Sequence, residues 1–90
     1  MKNLGKVSIP KGTIGFLSQT GFYDYWYPDR EKKIIIPMDV VAEHLALWKH
    51  QGEFYAFKVP MIIFHPKEIL EYKGQHVCVW FLQSEISSLI

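Results

Sequence analysis

"MDVVAEHLALWKHQG", residues 38–52, is the stretch on which the fold class turns. Setting successive residues about 100° apart puts Val40, Val41, His44, Leu45, Leu47 and Trp48 on one side. Ala42, Glu43, Ala46, Lys49 and His50 then fall on the other. This period predicts an amphipathic helix at about 39–51. Asp39 suits its N-cap, because a carboxylate accepts orphan amide hydrogens, and Gly52 can close the far end in the left-handed region. Two adjacent valines weaken the first turn, so the helix is expected to be held by packing, with Val41, Leu45 and Trp48 covering a sheet.

On both sides of that segment the period is two. "LGKVSI", residues 4–9, alternates Val7 and Ile9 with Lys6 and Ser8 and reads as a first strand. "PKGT", residues 10–13, turns the chain, with Pro10 ending the ladder and Gly12 free to take positive φ. "IGFLSQ", residues 14–19, is a second strand in which Gly15 permits a bulge or a close approach. "PDREKK", residues 28–33, reads as a charged turn, and "IIIP", residues 34–37, as a short buried strand. Further on, "EFYAFKVPMIIFHP", residues 53–66, returns to extended character, with Pro60 marking an edge or a bend. Pro66 opens a single helical turn, and "QHVCVWFLQ", residues 75–83, is a late strand. The tail "SEISSLI", residues 84–90, fits either a short strand or a helical turn.

These elements make one compact α+β domain, residues 1–90, with a small curled antiparallel sheet of five to six short strands and one inserted helix. The piece "VSIPKGTIGFLS", residues 7–18, resembles the opening of SH3-like barrels, including KOW-type modules. That resemblance implies a partly open barrel; the alternative is a more open sheet packed on the helix. A helix at 39–51 departs from the simplest such barrel.

Hydrophobic residues make up 49% of the chain and aromatics 16%, against 21% charged, which is a folding composition. So large an apolar share in 90 residues cannot all be interior, which points to an interface. The net charge is +1, well short of the field that tight phosphate binding needs. A single cysteine, Cys78, excludes an internal disulfide, and no run reaches the ~20 apolar residues of a membrane span. A cytoplasmic protein with no membrane attachment is the expectation.

No nucleophile elbow, phosphate-cradling loop, dinucleotide fingerprint or HExxH pair is present, so no catalytic residue, cofactor or metal is expected. His76 and Cys78 share a strand face at a spacing open to two zinc ligands, but no second pair completes a site. Cys78, between two valines, reads as a buried thiol. His44 reads as a boundary histidine donating a ring hydrogen to a backbone carbonyl.

The chemistry-bearing run is "GFYDYWYPDREKK", residues 21–33, with five rings in the six positions from Phe22 to Tyr27. Tyrosine and tryptophan beside arginine make the composition of a binding hot spot, which gives Tyr23, Tyr25, Trp26, Tyr27 and Arg30 as a partner-binding face. The expected function is a small non-enzymatic protein-interaction module, an inhibitor, adaptor or assembly factor, using an aromatic-rich strand and a charged turn. Its partner would be another protein, or a second copy in a homodimer. The alternative is weak single-stranded RNA or DNA binding, in which Tyr25 and Trp26 stack bases while Arg30, Lys32 and Lys33 meet phosphates. Asp24, Asp29 and Glu31 bring the charge of residues 21–33 to zero and count against it.

Overall fold

A computed structural model describes residues 4–18, 27–46, 52–70, 72 and 74–89. Six strands form one antiparallel sheet: β1 (Lys6–Ile9), β2 (Ile14–Ser18), β3 (Pro28–Ile35), β4 (Val40–His44), β5 (Phe54–Pro60) and β6 (His76–Leu82). Their order is β1-β4-β5-β6-β2-β3. A single short helix, α1 (Gln83–Ser87), follows β6 directly, and short 3-10 turns lie at Met61–Ile63 and Pro66–Glu68. The class is the α+β domain that the residue pattern predicts, and the sheet curls without closing into a barrel.

The curl follows from how β1–β2 and β3–β4 are joined. Lys6 faces Glu43, Ile9 faces Val40, Ile14 faces Ile35 and Phe16 faces Lys33. These pairs keep one register, so residues 6–16 and 33–43 make a single long ribbon folded over at residues 10–13 and 36–39. At the fold Gly12 N–H donates to the Ile36 carbonyl (2.8 Å) and Ile36 N–H to the Thr13 carbonyl (2.9 Å). Lys11 N–H donates to Asp39 Oδ1 (2.7 Å), and Thr13 Oγ1 to the Pro10 carbonyl (2.7 Å). Gly12 sits at φ +93°, which a side chain would strain. In a flat sheet, strands four places apart lie about 19 Å from each other. The chain from Ile35 at the end of β3 to Val40 at the start of β4 reaches at most about 18 Å even when fully extended. The sheet has to bend.

Between the two halves of the ribbon runs the β5–β6 pair, matched from Phe54↔Leu82 to Pro60↔His76. Phe57, Val59, Val77, Val79 and Phe81 fill the concave core with Val7, Ile9, Ile34, Ile36 and Ile86 of α1. Phe54, Ala56, Cys78 and Trp80 form a second buried cluster, against which Phe16, Leu45 and Leu82 pack. β6 is therefore covered on both faces, which is why its sequence is apolar without alternation. Gly15 lies where β2 runs against the side chains of its neighbour β6: a Cβ there would come within 2.7 Å of Val79 Cγ1 and 2.9 Å of Phe81 Cε1.

Three expectations are corrected. Residues 40–44 form strand β4 instead of the first turns of a helix at 39–51, while residues 47–51 lie outside the described residues. Val40, Ala42 and His44 turn inward while Val41 and Glu43 face out, and hydrogen bonding to both β1 and β5 outweighs a short helical period. Asp39 caps no helix, since its carboxylate serves the corner at Lys11. "PDREKK" is not a turn but most of β3, where Pro28 occupies the first strand position and the charges suit an edge. The strand expected at residues 22–27 falls outside the described residues except for Tyr27, which precedes β3. Of the two readings of the tail, the helical one holds at Gln83–Ser87.

Gly15→Ala tests the close approach. Val79 and Phe81 are fully buried and cannot yield, so the added methyl should lower the unfolding free energy by about 1 to 3 kcal/mol in urea titration.

Candidate interaction cleft

Ser18, at the end of β2, organises the region beside β3. The β2–β3 register shifts between Phe16 and Ser18, and the fully buried Ser18 is held from several sides. Its Oγ accepts from the Trp80 indole N–H (2.8 Å), its carbonyl accepts from the Tyr72 hydroxyl, and its side chain hydrogen-bonds Cys78. The Tyr72 bond ties the segment after the Pro66–Glu68 turn back to the sheet. That segment is itself closed by Tyr72 N–H to the Ile69 carbonyl (2.9 Å) and by Lys67 N–H to His65 Nδ1 (3.1 Å).

An open cleft of about 330 Å³ lies between this segment and β3. Leu17, Ile34 and Tyr72 give it an apolar floor, Leu70 stands on its rim at 83% exposure, and Lys32, Lys33 and Lys67 surround it. Lys32 Nζ sits 5.5 Å from the centre of the Tyr72 ring, a cation–π contact that keeps the ammonium over the floor. None of the described lining residues is an acid. A second depression of about 310 Å³ beside β1 and β4 mixes Lys6 and Lys58 with Glu43, so one of its two ammonium charges is offset.

No family model, curated protein or solved structure matches this chain.

The residues expected to form a partner-binding face divide. Tyr23, Tyr25 and Trp26 lie outside the described residues. Tyr27 is 40% exposed just before β3. Arg30, on β3, is engaged within the chain: it pairs with Glu53 and its guanidinium lies 5.0 Å from the centre of the Phe54 ring. Lys32 and Lys33, the candidate phosphate contacts, come together with Lys67 at the cleft. Ser18, Leu17, Lys67 and Tyr72 were not singled out from the sequence, where no local spacing connects them to β3.

The two groups with metal or acid–base potential, His44 and the His76–Cys78 pair, sit in different surroundings. His44 is buried between the rings of Tyr55 and Phe57, each centred 5.4 Å away. Its Nδ1 accepts the Leu4 N–H (3.0 Å). The ring's own proton then sits on Nε2. His76 is exposed whereas Cys78 is buried. Burial raises the Cys78 thiol to about 12 from 9.0, against the smaller lowering effect of its Ser18 hydrogen bond. Among the described residues no three His, Cys, Asp or Glu side chains are grouped to hold a metal.

Two outcomes follow. Ser18→Ala takes the Oγ acceptor from the buried Trp80 indole and should cost about 1 to 3 kcal/mol by chemical denaturation. Because the folded thiol holds its proton above the unfolded value, the unfolded chain releases that proton first. Stability should therefore fall as pH rises between 9.0 and about 12, and a thiol reagent at pH 8 should label Cys78 only as fast as the chain opens.

Proposed function

We propose that this chain is a non-enzymatic protein-interaction module that holds an acidic partner protein at the lysine-lined cleft along β3. The observation that carries this reading is the convergence of Lys32, Lys33 and Lys67 around an apolar floor, with no described acid in the lining. Such a site favours a carboxylate-bearing partner that also places an apolar side chain in the floor, which is how small interfaces combine specificity with buried area. The cleft stands at the lower end of the roughly 300 to 1,000 Å³ typical of small-molecule sites, which suits one or two anchoring side chains. The aromatic run from Tyr23 to Tyr27 leads in sequence straight into β3 and is proposed to contribute to partner binding.

Charge complementarity favours a different protein over a second copy. A two-fold contact centred on the cleft would set Lys32, Lys33 and Lys67 against the same lysines. For single-stranded nucleic acid the lysines are suitable, but Tyr72 is 9% exposed, carries Lys32 over its ring and spends its hydroxyl on Ser18, so it offers no face for a base.

The test is affinity capture from the native host with identification of what is retained, comparing the natural chain with Lys33→Glu/Lys67→Glu. Both should melt alike, because Lys33 and Lys67 are exposed. The natural chain should retain an acidic protein that the double variant loses. Equal retention by both would move the binding surface elsewhere, and a salt-labile dimer of the natural chain in sedimentation would replace the acidic partner by a second copy.

A further inference from the structure

On the reading that the cleft holds an acidic protein, we propose how it does so: an extended acidic segment of the partner adds as a strand to the open edge of β3. The phase of the hydrogen bonding supports this. Ile36 N–H points across the ribbon to Thr13. In an antiparallel pair the bonding positions alternate, so Ile34, opposite Gly15, also points toward β2, whereas Lys33 and Ile35 turn their N–H and C=O groups away. One further step along, Glu31 N–H is taken by Asp29 Oδ1 (2.9 Å), which closes the edge at that end. Among the described residues no strand pairs with this side of β3. Lys33 and Ile35 thus present two donors and two acceptors at the spacing of a strand ladder.

The cleft lies where such a strand would run. Lys32, Lys33 and Ile34 all line it, and three successive residues of one strand, which point to alternate faces, can do so only if the cleft follows the strand's edge. Lys67 and Leu70 form its opposite wall. A segment laid against β3 would therefore alternate: one row of side chains falls toward the Ile34 and Tyr72 floor and should be apolar, and the other meets the Lys33 side and should be acidic. The same lysines that discourage pairing with another copy's edge become the recognition element for a strand of opposite charge. Edge addition of this kind takes affinity from main-chain bonds and specificity from alternate side chains.

The full chain would be titrated with a fluorescein-labelled peptide of about eight residues alternating glutamate and leucine, roughly the span of β3. The parallel probes are the same peptide N-methylated at alternate amides and a labelled oligothymidylate, all at low salt. Strand addition is expected to give binding to the first peptide, loss of at least about tenfold in affinity on N-methylation and on Lys33→Glu, and slowed amide exchange at Lys33 and Ile35. If the peptide binds and Lys33→Glu weakens it, but N-methylation and amide exchange show no effect, strand addition is overturned while the acidic-partner reading stands. If neither peptide binds, both are overturned, and binding of the oligothymidylate instead would assign the cleft to nucleic acid.

Discussion

Everything in this fold depends on a ribbon that keeps its register through an interrupted corner at residues 10–13 and 36–39. Four residues on one strand, 10–13, are matched by four on the other, 36–39, so pairing resumes in phase beyond the bend. The bend is held by main-chain bonds between Gly12, Thr13 and Ile36 and by the Asp39 carboxylate on Lys11. Only a residue without a side chain takes the Gly12 conformation without strain. An insertion on one side alone would reverse every side chain beyond it, because strand faces alternate with each residue.

Folding the ribbon over sets β4 and β2 on opposite sides of a gap, and β5 and β6 fill it. The concave side takes the larger core and α1 contributes Ile86 to it, while the convex side buries Trp80 and Phe54. A core covered on both faces leaves little room for polar atoms, so Ser18 is a conspicuous exception. It is buried because the irregularity of β2 turns its groups toward Trp80 and Tyr72, and through Tyr72 the same irregularity anchors the wall of the basic cleft. Core packing and the candidate site are thus joined through one serine.

The edges of the open sheet are treated unequally. β1 is four residues long and too short to template another strand. β3 is eight residues long and carries Asp29, Arg30, Glu31, Lys32 and Lys33 in succession. Near its start the charges are used internally, Arg30 on Glu53 and Asp29 on the Glu31 amide. Toward its end the lysines collect around an apolar floor. The long edge is protected from self-pairing over one half and chemically distinctive over the other.

The sequence by itself determined the elements whose patterning is local and unambiguous. The alternation of Lys6–Ile9, the turn at Pro10–Thr13 with its positive-φ glycine, the close approach at Gly15, the unbroken apolar run of β6 and the buried Cys78 all follow from residue type and spacing. Together they gave the antiparallel sheet, whereas the helix of the α+β class was expected at 39–51 and lies at Gln83–Ser87. Only the tertiary structure decided residues 40–44 and 28–33. Val40–His44 satisfies a helical period and a strand period equally well over five residues, and the choice falls to hydrogen bonds from β1 and β5, strands distant in sequence. "PDREKK" has the composition of a turn, and pairing with β2 straightens it into an edge. The cleft was illegible for the same physical reason: Leu17, Lys32–Ile34 and Lys67–Tyr72 share no period or motif, and become neighbours only once the ribbon has folded over and Tyr72 has reached Ser18.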